Sequence, residues 1–174
     1  MIDVRTGDIV LFRTPFKLWK PASWLSALIR YFAKIKYNHV GVVVSNWNVP
    51  FVNEALGRGV IPSPFKDRVI GVQVKILRPN FYLADGFEKA FATKANSKLG
   101  ITGYDFSGLL FFQLVYQIFG VWIGTKNKKR AEKRMYCYEY VGWCYSNLFP
   151  DWWKINPAKI SDIANFSSLF EGKL

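Results

Sequence analysis

The chain has one histidine and two cysteines, so a search for nucleophile and base is short. Cys137 lies in Tyr136-Cys137-Tyr138-Glu139-Tyr140-Val141-Gly142-Trp143-Cys144-Tyr145-Ser146-Asn147-Leu148, which reads as a helix beginning next to the cysteine. The polar, basic run Lys126-Asn127-Lys128-Lys129-Arg130-Ala131-Glu132-Lys133-Arg134 precedes it. A thiol in a first helical turn faces unpaired N–H groups and the positive end of the helix dipole, which favour thiolate. Cys137 is therefore a candidate nucleophile. Cys144 lies two turns further on, beyond the reach of that field, and reads as a packed, inert thiol. His39, the candidate base, starts the β-branched run Val40-Gly41-Val42-Val43-Val44, a buried-strand pattern. A second strand over 51–55 follows a turn-like 45–50. A hairpin of that length brings Glu54 beside His39 across the ladder. A carboxylate there holds the imidazole in the tautomer that accepts the thiol proton. The amide oxygen of Asn53 or Asn38 would serve the same purpose.

These side chains need a framework. A strand is expected over 8–13, then a helix over 19–34 with Trp24, Leu25, Leu28, Ile29, Phe32 and Ile35 at helical spacing. Residues 57–64 are rich in Gly and Pro and read as turn. Val72, Val74 and Ile76 share one face of a strand predicted over 69–77, which Arg78-Pro79-Asn80 ends. A helix over 82–99 carries Leu83, Phe87, Phe91 and Leu99, and Gly100 and Gly103 break it. Tyr104 places its hydroxyl in the cleft or its ring in the core. Asp105 caps a very apolar helix over 106–124, short for a membrane span and read as buried or embedded in a surface. The basic run is a solvated loop or a polar helical extension. Pro150 to Trp153 end the cysteine helix, and Pro157 opens a last short helix containing Ile160 and Ile163. Glu139 reads as a cap or structural pair.

Composition bounds the answer further. A length of 174 residues suits one domain, taken as 1–174, and 51% hydrophobic content excludes a disordered chain. The net charge of +12 favours an anionic partner such as membrane or wall polymer, or gives solubility alone. No nucleic-acid motif accompanies it, so no specific nucleic acid is expected. Two cysteines seven residues apart in one helix sit roughly 10 Å apart along its axis, too far for a disulfide. One histidine and two cysteines cannot supply a zinc site of the usual ligand count, and the expected chemistry needs no metal or cofactor. No signal-peptide pattern opens the sequence, so a cytoplasmic or membrane-surface location is expected.

Gly7-Asp8-Ile9-Val10-Leu11, Asn38-His39-Val40-Gly41-Val42, Asn53-Glu54-Ala55, Leu77-Arg78-Pro79, Gly103-Tyr104-Asp105-Phe106 and Cys137-Tyr138-Glu139-Tyr140-Val141 occur in that order. The set, over about residues 5 to 150, resembles the circularly permuted branch of the NlpC-type papain-like hydrolases. That branch includes YiiX-like and YebB-like proteins and the relatives of lecithin retinol acyltransferase. Its usual cysteine motif is Cys-Ser-Glu-Leu-Val, so Tyr138 stands where the family has serine. The resemblance implies an α+β fold with a small antiparallel sheet packed against the cysteine helix. It implies a cysteine hydrolase that cleaves an amide or ester through Cys137, His39 and Glu54, by way of a thioester. Tyr104 and Asn38 are the supporting cleft candidates. Two other readings fit the same residues: a lipid-acting acyltransferase or phospholipase, and an inactive basic module binding membrane or nucleic acid.

Overall fold

The computed structural model describes residues 2–13, 34–46, 49–81, 86–109, 128–155 and 164–174, with single positions between them. Its centre is a six-stranded antiparallel sheet, in the order β4-β3-β2-β1-β5-β8. The strands are β1 (Ile9–Arg13), β2 (His39–Asn46), β3 (Val49–Leu56), β4 (Gly59–Pro64), β5 (Gln73–Pro79) and β8 (Phe166–Lys173). A parallel pair, β6 (Gly103–Tyr104) and β7 (Arg134–Met135), forms a separate two-stranded sheet beside β4. The helices are α1 (Phe65–Val69), α2 (Phe87–Asn96), α3 (Lys128–Lys133) and α4 (Cys137–Cys144), with a 3₁₀ turn at Trp152–Lys154.

The sheet is buried on both faces, which is why β2 reads as an almost unbroken apolar run. Leu11, Val40, Val42, Val44 and Ala55 pack with Tyr140 and Val141 of α4. Val10, Phe12, Val43, Val52, Val74 and Ile76 pack with Phe65 and Val69 of α1. Period-two alternation sends neighbouring residues to opposite cores.

Four tyrosines tie α4 and its flanks to distant segments. Tyr136 donates to the Ile155 carbonyl at 3.1 Å, Tyr138 to Tyr37 at 2.7 Å and Tyr140 to Ala95 at 3.0 Å. Tyr145 donates to the Gly7 carbonyl. Each ring fills the core while its hydroxyl satisfies a buried carbonyl. Tyr138 thereby draws the start of α4 over the chain entering β2.

Several expectations change. Residues 57–64 are not all turn: β4 runs from Gly59 to Pro64. Only Gly57 and Arg58 make the turn, Gly59 takes φ +109°, and an edge strand tolerates Pro62 and Pro64. Val69 ends helix α1, and the strand expected from there starts at Gln73, past a turn with Gly71 at φ +71°. It runs on through Arg78 and Pro79. Its alternation was legible: Val74 and Ile76 share a face. The strand expected over 51–55 spans Val49–Leu56, because β2 and β3 extend toward a shorter turn. The helix expected over 82–99 is seen as Phe87–Asn96; residues 82–85 lie outside the described residues. The cysteine helix ends at Cys144, with Tyr145 as its C-cap, well before Pro150. Strand β8 had no expected counterpart. Most of 19–34, 110–127 and the segment around Pro157 and Ile163 lies outside the described residues, and Ile160 is helical and buried. Asp105 does cap the backbone entering 106–109, accepting from the Gly108 N–H at 2.8 Å. Among the described residues no helix is long and apolar enough to cross a membrane.

Candidate active site

Cys137 is the first residue of α4. Tyr136 before it is extended, at φ −91° and ψ 172°, and Glu139 Oε2 accepts the Tyr136 N–H at 3.2 Å. Glu139 is thus a helix-start cap, as its spacing predicts. The adjacent β6–β7 pairing sets Tyr104 opposite Met135, two residues ahead of Cys137.

His39 is the first residue of β2, at the end of the sheet, where its ring reaches both Glu54 and Cys137. Its Nε2 lies 2.6 Å from Glu54 Oε2. The ring's other interaction is with Cys137. Glu54 therefore sets the tautomer that leaves Nδ1 as acceptor. Gly41 makes the approach possible. A Cβ there would come within 2.5 Å of Val52 Cγ1 and 3.2 Å of Glu54 Cβ, so only glycine leaves room for the carboxylate beside β2.

The electrostatics follow from burial and partners. Burial opposes a charge on His39, but its interactions with Cys137 and then Glu54 outweigh that cost, lifting the imidazole to about 9. Burial likewise opposes ionisation of Glu54, whose side chain is 0% exposed. Hydrogen bonds from His39 and Arg68, with their charges, nevertheless hold it down at about 2. These surroundings favour the charged imidazolium. Burial pushes the Cys144 thiol up to about 12, against hydrogen bonding by Tyr140 and the charge of Lys94. Its thiol is packed in the core, inside the helix.

Three of the expected residues, Cys137, His39 and Glu54, thus meet. Tyr104 lies close by: burial first, then the charges of Cys137, Glu139 and Asp105, raise its hydroxyl well above the ordinary range. It stays protonated, with its ring packed on Phe106 at 4.6 Å between centroids. Asn38 donates its backbone N–H to Phe12 at 3.0 Å and so closes the β1–β2 ladder. Asn53 faces the α4 side and donates to Asn96 Oδ1 at 2.8 Å. The carboxylate at Nε2 is therefore Glu54, which resolves the choice between it and the two asparagines. Sequence reasoning missed Arg68, whose Nη2 donates to Glu54 Oε2 at 2.7 Å and whose Nε bonds Oε1. The available signal was the need of a buried carboxylate for a cation.

No family model matches the chain, and no curated protein matches its sequence. Among solved structures, the metalloprotein YiiX from Escherichia coli O157:H7 superposes with a TM-score of 0.69. The fold is that of YiiX. The match covers 98% of this chain and 98% of YiiX at 18% sequence identity, so it speaks to fold. The YiiX-like architecture is a mixed α+β one built on the six-stranded antiparallel sheet.

Proposed function

We propose that the chain is a thiol-dependent acyl hydrolase with a permuted papain-like arrangement. The carrying observation is the convergence of Cys137, His39 and Glu54 from a helix start and two adjacent strands, with His39 hydrogen-bonded to Glu54. Cys137 Sγ, having given its proton to His39 Nδ1, attacks an amide or ester carbonyl. The oxyanion is met by the Cys137 N–H, which helix geometry leaves without an intrahelical acceptor. His39 returns the proton to the leaving amine or alcohol, and the acyl group remains as a thioester on Cys137. Water, deprotonated by His39, then releases the acid. Glu54 holds the ring and stabilises its charged form throughout.

YiiX is described as a metalloprotein. Among the described residues no three His, Cys, Asp or Glu side chains gather as ligands. His39 Nε2 faces Glu54, and Arg68 takes up both Glu54 oxygens. That set does not fit a metal.

A second reading, a lipid-acting acyltransferase or phospholipase of the same fold, is favoured by one feature. Phe106 is 52% exposed with its ring tilted against Tyr104, and Ile101, three residues before Tyr104, is 76% exposed. This puts exposed apolar side chains beside Tyr104, on a chain of net charge +12 suited to an anionic membrane or wall surface. A substrate panel of wall peptide, acyl amide and anionic phospholipid vesicles separates the readings. We expect turnover of at least one class, abolished by Cys137→Ala. Vesicle turnover would select the lipid reading, and turnover undiminished in Cys137→Ala would refute both.

A further inference from the structure

Arg68 is placed to do more than neutralise Glu54. It sits in α1, one helical turn after Phe65, and Phe65 and Val69 anchor that helix in the core beneath the sheet. Its guanidinium binds Glu54 as a fork: Nε to Oε1, and Nη2 to Oε2 at 2.7 Å. Its Cζ lies 5.0 Å above the Phe12 ring, and the Phe12 ring lies 5.7 Å from that of His39. Phe12 and His39 are partners in the β1–β2 register. Four side chains from β1, β2, β3 and α1 therefore close a ring, and Oε2 of Glu54 is the atom that Arg68 and His39 share.

That geometry has a consequence for the imidazole. A carboxylate held through one oxygen turns about its terminal torsion, which is soft. Held through both oxygens by a planar fork, it has one orientation, and that orientation presents Oε2 to His39 Nε2. We propose that Arg68 is a fourth member of the site, a positioning residue that locks Glu54 and so keeps His39 turned toward Cys137. The proposal rests on the reading of Cys137 as nucleophile and His39 as its base. A lysine would supply charge at that point without the fork, so Arg68→Lys separates positioning from charge. The charged groups that bear on Glu54 are His39 from β2 and Arg68 from α1. Removing Arg68 therefore lets Glu54 protonate at higher pH, and the acid limb of the reaction moves up with it.

The test measures the rate at which iodoacetamide labels Cys137, by peptide mass mapping across a pH series, together with the melting temperature. Wild type, Arg68→Ala, Arg68→Lys and His39→Ala are compared. Arg68→Ala is expected to label Cys137 about tenfold to a hundredfold more slowly, with its acid limb shifted upward. Arg68→Lys is expected to be slowed while keeping the wild-type acid limb. The Arg68 side chain is 29% exposed, so added methylguanidinium should reach the vacated place and restore labelling in Arg68→Ala. If Arg68→Ala fails to fold, the rate and limb of Arg68→Lys decide. Wild-type rates and pH profiles in the folded Arg68 variants, whatever their melting temperatures, would overturn the proposal. Labelling that His39→Ala leaves unchanged would instead overturn the underlying reading.

Discussion

His39→Ala is expected to lower turnover of any acyl substrate by about a thousandfold, the range set by loss of a positioned base. The chain has one histidine, so no second imidazole can substitute. The ring has two tasks here, accepting the thiol proton at Nδ1 and protonating the leaving group, and both fail together. Effects within such a unit do not add, so Cys137→Ala with His39→Ala should be little worse than Cys137→Ala alone. His39 is largely buried at the end of the sheet, its side chain 12% exposed. A melting curve must therefore accompany the kinetics. Turnover within about threefold of wild type in a folded His39→Ala protein would argue for another base.

The second large effect falls on stability. Glu54→Ala is expected to destabilise the fold by about 3 kcal/mol, because breaking a buried ion pair leaves its partners unmatched and a cavity behind. For a domain of this size that lowers the melting temperature by about 10 °C. Glu54→Gln keeps the shape and one acceptor, so it should cost less in stability while still weakening the imidazolium. The same pair makes stability depend on pH. Glu54 is depressed from 4.5 to about 2, so its contribution is present above 4.5 and lost as pH falls through about 2. His39 is raised from 6.5 to about 9, so its contribution is present below 6.5 and lost as pH rises through about 9. Thermal melts should show the greatest stability from the pair between 4.5 and 6.5, with a decline toward 9 that is weaker in Glu54→Ala, where only Cys137 still raises His39. Identical pH dependence in both proteins would contradict the coupling of these residues.

The centre of the sheet was legible because burial on both faces writes itself into the residue types. Val40 to Val44 can be little else than a covered strand, and the break in residue type at Arg134 to Cys137 marks the helix start. The site followed, since one histidine and a hairpin leave few ways to place a carboxylate. The edges were harder to read. Along β8 only Phe166 is buried, so its sequence carries almost no alternation. In β4 the glycine and prolines that suit an edge also describe a turn. Arg68 was hidden for a different reason. It is 14 residues from Glu54, and their meeting depends on how α1 packs beneath the sheet, which no local pattern encodes. The four tyrosine hydroxyls around α4 are similar: their ring positions were visible as apolar content, and their carbonyl partners were not.

Competitive labelling of the two cysteines tests the central claim most directly. The folded protein is treated with limiting iodoacetamide near neutral pH, and the two sites are read by peptide mass mapping. Both thiols are almost fully buried, Cys137 3% and Cys144 4% exposed, so accessibility alone gives neither an advantage. Cys137 has His39 to take its proton, whereas burial holds the Cys144 proton in place. Cys137 is predicted to label far faster, and His39→Ala should remove the difference. Equal labelling of the two, or faster labelling of Cys144, would contradict the assignment of Cys137 as the nucleophile.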